Sequence, residues 1–393
     1  MSQKKSSLRV ALVVPHIFLH RDILPNVIFS PGILALELSK GLLSVGANVT
    51  LFTPGPVSTV TPNINADLSY FEAELAARGD TYIDLLKKHP FVFVSLARQV
   101  QAEIISKAYE CANNDEFDIV HIYTNEEDIA LPFAKFCKKP VIFTHHDPFN
   151  FLVRYKSVFP KYTHLNWLSL SYAQRKTMPS GTNWVGNIYH GLDPNEFNFF
   201  TDNSGGYIAY LGRIIEPKGV HLAIDAVNKY NQSSKQPIKL KIAGKHYSDG
   251  EKDTYWQQQI LPRLGDNIEY VGFIDNLKQK NEFLGNAKAL IMPSVFDEPF
   301  GMVMIESLAS GTPIIGLDSG AIPEVINNKN GILVEKSDQD NKTTDRLANA
   351  IKDISKINRN DCRTDFEARF TTKRMCQDHI EAYQKIIESQ VAL

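Results

Sequence analysis

Long apolar runs, paired cysteines and charge imbalance are all missing from this 393-residue chain. No window of about eighteen consecutive apolar residues occurs, so no membrane-spanning helix is expected. The polar start Met1-Ser2-Gln3-Lys4-Lys5-Ser6-Ser7 leads straight into a short strand, without a signal-peptide core. Cys111, Cys137, Cys362 and Cys376 show neither CxxC nor Cys/His metal spacing and read as reduced thiols of a cytoplasmic protein. With 42 basic and 44 acidic residues the formal net charge is −2, which offers nucleic acid no electrostatic footing. Neither half opens with the GxGxxG turn of a dinucleotide-binding unit, which ranks a dinucleotide-dependent oxidoreductase as a remote alternative. Internal repeats and low-complexity tracts are absent too.

What is present is alternation. Apolar strands at 9–14, 48–52, 118–122 and 140–144 are separated by helical stretches, and the pattern restarts with strands at 207–212, 238–243, 268–271 and 289–293. Helices are predicted over 33–45, 67–88, 95–112, 220–230 and 372–389. This order points to an α/β fold with parallel sheets covered by helices, and the length calls for two domains. Thr201-Asp202-Asn203-Ser204-Gly205-Gly206 has the composition of a connector, so the expected division is 1–200 and 201–371, followed by a last helix over 372–393. Ligands of such domains bind beyond the carboxyl ends of the strands, in a cleft between them.

The most informative segment is Glu298-Pro299-Phe300-Gly301-Met302-Val303-Met304-Ile305-Glu306. A strand precedes it, and Glu306-Ser307-Leu308-Ala309 runs on as a helix. Phe300-Gly301-Met302 is therefore expected to be a helix N-terminus with outward amides, suited to phosphate and sugar oxygens. Glu306, one turn in, is placed to accept hydrogen bonds from a diol of the same ligand. A nucleotide sugar carries both groups.

Together with Ala309-Ser310-Gly311-Thr312-Pro313-Ile314-Ile315-Gly316 and Gly320-Ala321-Ile322-Pro323-Glu324-Val325-Ile326, this run resembles the C-terminal signature of family 4 glycosyltransferases, mainly retaining enzymes of GT-B fold. The resemblance implies two Rossmann-like domains, with the terminal helix crossing back to the first. It implies transfer of a hexose from a nucleoside-diphosphate sugar, UDP-glucose being the first guess, to an acceptor hydroxyl. The acceptor is a sugar, a small molecule or a glycolipid. No cofactor and no catalytic metal are expected. GT-B sugar-nucleotide epimerases and phosphorolytic enzymes are the alternative.

Further residues fall into place around that reading. Gly212-Arg213-Ile214-Ile215-Glu216-Pro217-Lys218-Gly219 follows a strand, so Arg213 and Lys218 can converge on the leaving diphosphate, although alone the loop reads as a solvated basic turn. The resemblance assigns Glu298 to sugar hydroxyls, Glu306 to the ribose, Phe300, Gly301 and Met302 to sugar and phosphate, and Phe273 and Ile274 to the neighbourhood of the base. It also implies that His146, in Thr144-His145-His146-Asp147, approaches the donor sugar. His145 points elsewhere along an extended chain and reads as structural. Gly32, in Ser30-Pro31-Gly32, opens the first helix where a backbone can approach phosphate.

Asp338-Gln339-Asp340 has a metal-binding form but reads as a solvated loop, Ser171 as a helix cap, and His190-Gly191-Leu192-Asp193 as a turn. Residues 148–162, rich in aromatics and cations, read as an acceptor wall, as ordinary packing, or, less favoured, as a surface for lipid head groups. Residues 56–117 carry helices without a chemical motif. Oligomeric state has no motif either.

Overall fold

Runs such as Arg9-Val10-Ala11-Leu12-Val13 lack the apolar and polar alternation of a half-exposed strand, and the structure buries them as the interior strands of parallel sheets. In this computed structural model residues 7–23, 29–123, 125, 127–202, 204–246 and 253–391 are described, apart from the side chains of 390 and 391. Residues 1–6 of the polar start, 24–28 of the first loop, Asn203 of the expected connector and the chain end 392–393 lie outside them. The chain forms two compact units. The first comprises Met1–Leu170, Arg175–Ile188 and Thr372–Leu393, and the second Ser171–Gln174 and Tyr189–Thr371.

In the first unit, β1 (Arg9–Val13), β2 (Asn48–Thr53), β3 (Asn63–Asn65), β4 (Ile119–Tyr123), β5 (Val141–Thr144), β6 (Asn166–Ser169) and β7 (Trp184–Asn187) form one sheet in the order β3-β2-β1-β4-β5-β6-β7. Every pairing is parallel. The helices of this half are α1 (Ser30–Ser44), α2 (Ser69–Arg78), α3 (Tyr82–Lys88), α4 (Pro90–Asn113) and α5 (Val153–Val158); the one-turn α6 (Tyr172–Arg175) comes next in the chain, with Tyr172–Gln174 in the second unit. Two boundaries differ from expectation. The single helix over 67–88 is two, because Gly79 ends α2 in the left-handed conformation at φ 68° and Thr81 restarts the chain in a capping box with Asp84. The helix expected from 95 starts at Pro90, whose missing N–H costs nothing in a first turn.

The second unit repeats the plan with β8 (Tyr207–Leu211), β9 (Lys239–Ala243), β10 (Ile268–Gly272), β11 (Ala287–Met292), β12 (Ile314–Leu317) and β13 (Gly331–Val334), in the order β10-β9-β8-β11-β12-β13. Its helices are α7 (Val220–Ser233), α8 (Leu277–Gly285), α9 (Met302–Ala309), α10 (Ile322–Val325), α11 (Asp340–Asp353) and α12 (Arg359–Arg369). The order of connection reverses between β8 and β11, which opens a crevice at their carboxyl ends. The expected connector at 201–206 is not where the units change. That happens at Ile188 and Tyr189. Gly205 donates to the Asn286 carbonyl at 3.2 Å and Arg359 to the Phe200 carbonyl at 2.8 Å, so this stretch is fastened to the second unit.

The last helix, α13 (Thr372–Val391), is part of the first unit. It packs on α1 where Gly41 has no side chain. A Cβ there would lie 2.5 Å from Cys376 Sγ and 2.7 Å from Thr372 Cγ2. Deeper in, Tyr383 Oη lies 2.7 Å from His121 Nδ1 on β4, and Thr144 Oγ1 holds His121 Nε2 at 2.8 Å. Burial pushes both His121 and the neighbouring His379 down, the latter to about 4, so this contact is made by neutral rings. Among the described residues no helix is long and apolar enough to cross a membrane.

Candidate functional site

Two loops of the second unit meet at its crevice. The first leaves β8 through Gly212 and Arg213 to a short turn, Glu216–Lys218, which ends at Gly219 with φ 67°. Glycine is required there twice over, since a Cβ would also sit 2.1 Å from the Pro293 carbonyl oxygen. The second loop leaves β11 through Ser294 to Glu298. The amides of Val295 and Phe296 donate to the Pro217 carbonyl at 3.0 and 3.1 Å, and this ties the loops together.

The tie brings Lys218 against Glu298. Lys218 Nζ donates to Glu298 Oε1, the Ser294 hydroxyl donates to the same oxygen at 3.0 Å, and the ammonium lies 5.5 Å from the centroid of the Phe296 ring. The Glu298 side chain is only 6 % exposed. A carboxylate so shielded from water needs the cation beside it. Its backbone is fixed from a third direction, because Ala321 N–H donates to the Glu298 carbonyl at 2.9 Å.

Past Glu298 the chain turns at Gly301, φ 93°, and enters α9. Among the described residues the amides of Gly301, Met302 and Val303 have no hydrogen-bond partner, while that of Met304 already donates to the Gly301 carbonyl at 3.1 Å. Three unmet donors at a helix start attract an oxyanion. Glu306 lies one turn further on, and Lys280 of α8 donates to its Oε1 at 2.7 Å. Each glutamate of the motif is thus paired with a lysine. Arg213, exposed and without an ion-pair partner among the described residues, supplies the positive charge that no carboxylate balances.

Phe273 and Ile274 follow Gly272 in the loop that leads into α8, with Phe273 half exposed and Ile274 partly buried. Lys280 escaped the sequence reading. It sits in the polar helix Leu277–Gly285, and only the packing of α8 on α9 makes it a neighbour of Glu306.

The residues of the first unit are described separately. Gly32 is an interior residue of the first turn of α1 with its amide donated to the Phe29 carbonyl at 3.1 Å. A Cβ there would meet Phe29 Cδ1 at 2.6 Å and Leu19 Cδ1 at 3.0 Å, so packing accounts for the glycine without a phosphate. His146 is 8 % exposed at the carboxyl end of β5, its amide donated to Asn125 Oδ1 at 2.9 Å and its ring edge-on to Tyr123. His145 points the other way, into the core, with Nδ1 at 2.9 Å from the buried Glu127 carboxylate and Phe149, Tyr155 and Phe159 around its ring. Those three aromatics of 148–162 are therefore core residues. Phe151, Leu152 and Val153 are the exposed large apolar residues of that segment.

The secondary motifs resolve into structural roles. Ser171 Oγ accepts from Gln174 N–H at 3.0 Å and caps α6. Glu324 accepts from the Tyr172 and Ala173 amides at 2.9 and 2.6 Å and from the Tyr189 hydroxyl at 2.9 Å. His190 sets its ring edge against Phe300, 5.2 Å between centroids. Asp338 is exposed and Asp340 opens α11. Among the described residues no three metal-ligating side chains cluster.

Residues 194–366 match the family described as glycosyl transferases group 1. The putative glycosyltransferase YtcC of Bacillus subtilis is 22% identical over 324 residues, covering 75% of this chain and 78% of the relative. Among solved structures, sucrose-phosphate synthase from Thermosynechococcus elongatus superposes with a TM-score of 0.72 at 18% identity, over 97% of this chain and 100% of that one. HepE from Anabaena, solved in complex with UDP and glucose, has a TM-score of 0.63 at 15% identity, over 98% and 100%. At such identities these structures establish the fold, which is GT-B.

Proposed function

We propose that the chain, whose residues 194–366 match the glycosyl transferases group 1, is an enzyme of that kind and transfers a hexose from a UDP-sugar, glucose first, to an acceptor hydroxyl with retention at the anomeric carbon. One observation carries the reading: a cation from the β8 loop and a carboxylate from the β11 loop meet beside the open N-terminus of α9, with a second carboxylate one turn along. A nucleoside diphosphate sugar has matching groups in matching order. Its ribose diol goes to Glu306, its diphosphate to the amides of Gly301, Met302 and Val303 and to Arg213 and Lys218, its hexose hydroxyls to Glu298, and its base toward Phe273 and Ile274. The complex of the structural relative HepE with UDP and glucose supports this donor class.

Lys218 and Glu298 neutralise one another. The donor competes for both at once, phosphate for the ammonium and sugar hydroxyls for the carboxylate, so neither charge is left bare. As the glycosidic bond breaks, charge grows on the outer phosphate. Arg213, Lys218 and the fixed amides oppose it without rearranging, which is how a preorganised site lowers a barrier. The departing phosphate then takes the acceptor proton on the face it leaves, the acceptor attacks that face, and the configuration is kept. No metal takes part.

The test is proton NMR of the product formed from UDP-glucose in excess chelator. An α-anomeric product at undiminished rate is expected. A β product refutes retention, and loss of activity that magnesium or manganese restores refutes the metal-free reading. Binding is tested at the diol. Glu306→Gln keeps the shape but removes the charge, and calorimetry is expected to show donor affinity weaker by about 1.5–3 kcal/mol, the range of hydrogen bonds to charged groups. An unchanged dissociation constant takes Glu306 out of the site.

A further inference from the structure

The pairing of Lys280 with Glu306 is not needed to hold α8 and α9 together. Asn281, the next residue, is buried and donates to the Glu196 carbonyl at 2.8 Å, Thr312 Oγ1 donates to the Leu284 carbonyl at 2.8 Å, and Asn276 caps the start of α8 by accepting from Gln279 N–H at 2.8 Å. The helix is therefore anchored at both ends without the lysine. Its ammonium nevertheless reaches Glu306, and Glu306 is its one partner among the described residues. The side chains are 27 % and 11 % exposed, so the pair is accessible from one side only.

An ammonium carries three donors, and a carboxylate accepts on two oxygens. One N–H and Oε1 are used in the pair. Oε2 has no hydrogen-bond partner among the described residues, and two N–H groups of Lys280 remain beside it. The unused functions are a donor and an acceptor held side by side. A vicinal diol is complementary to that set, since each of its hydroxyls both donates and accepts. A lone carboxylate would satisfy only the hydroxyl protons.

We propose that Lys280 is a specificity residue of the donor site, which locks Glu306 through Oε1 and donates to the ribose diol that Oε2 accepts from. The inference rests on the donor site assigned above and adds a consequence for it: selectivity for ribonucleoside over 2′-deoxyribonucleoside diphosphates. When the 2′-hydroxyl is missing, one member of the pair loses its partner in a half-dehydrated place, and that loss is what discriminates. Glu306 alone gives a weaker distinction, because its carboxylate would turn to meet the one hydroxyl left. Lys280 prevents the turn.

The experiment is a cycle of two ligands and three proteins, with UDP and 2′-deoxy-UDP titrated calorimetrically into the wild type, Lys280→Met and Lys280→Arg. The wild type is expected to prefer UDP by at least about tenfold. Lys280→Met should lose about tenfold for UDP and little for the deoxy ligand, so that the ratio collapses. Lys280→Arg keeps a cation and donors and should restore part of it. A purely structural lysine would lower both affinities together and leave the ratio unchanged, and that result overturns the proposal. So does a ratio untouched in Lys280→Met with both affinities intact. A wild type that binds neither nucleotide overturns the whole donor-site assignment, the inference included, and is told apart from the other failures by that total loss.

Discussion

Lys218→Ala is expected to lower kcat at saturating donor by roughly 10² to 10³, the usual cost of removing one preorganised stabiliser of a developing oxyanion. Turnover should fall more than donor affinity, because the charge that Lys218 opposes is largest when the diphosphate leaves. Arg213→Ala should behave in the same way, with one difference that the structure supplies. Lys218 is partnered by a nearly buried Glu298, and its removal leaves that carboxylate uncompensated next to the leaving phosphate. Among the described residues Arg213 has no such partner. Adding Glu298→Gln to Lys218→Ala should therefore recover part of the lost donor affinity, and no comparable recovery is expected with Arg213→Ala. Steady-state kinetics decides the matter. Near-wild-type kcat in both single variants, with only a higher donor KM, would mean that the loop holds the ground state and that stabilisation of the leaving group lies elsewhere.

Gly320→Ala is expected to be the most damaging small change outside the donor contacts. Gly320 has φ 53°, and a Cβ on it would lie 2.3 Å from the amide nitrogen and 2.6 Å from the carbonyl oxygen of Glu298. Neither atom can yield. Both are backbone, and the Glu298 carbonyl is also the acceptor for Ala321 N–H. The cost combines left-handed strain with overpacking and comes to roughly 2–5 kcal/mol. Urea unfolding should show it as a lower midpoint. Turnover should fall as well, since the loop that relieves the clash is the one that aims Glu298 at its lysine. Unchanged stability together with unchanged turnover would show that this loop does not depend on the close approach.

These two expectations also mark what the sequence could and could not convey. The strand, turn, helix and both carboxylates of 289–309 were legible because they are contiguous, and local periodicity is enough to place them. The alternation of His145 and His146 was legible for the same reason, since neighbours on an extended chain face opposite ways. Pairings that join distant segments were not. Nothing in Leu277–Gly285 marks Lys280 as the partner of Glu306, and nothing near Gly32 says that Phe29 and Leu19 occupy the space a side chain would need. The aromatics at 149, 155 and 159 fit a recognition surface or ordinary packing equally in sequence and lie in the core, because composition does not say which face of a segment is covered. The connector failed similarly: Gly205 and Gly206 are flexible by composition, but the Asn286 carbonyl fastens Gly205.

The return of α13 to the first unit has a consequence for how the molecule is made. Apart from Ser171–Gln174, the second unit is one unbroken stretch, Tyr189–Thr371, and every group that it needs is present once that stretch has been synthesised. The first unit is interrupted. Its sheet begins at Arg9, yet the helix that covers Gly41 and hydrogen-bonds His121 is translated only after the second unit. On a ribosome, where domains fold as they emerge, the first unit is thus begun before the second and completed after it. Until Cys376 and Tyr383 arrive, α1 and β4 wait with a bare glycine seam and an unfilled histidine contact.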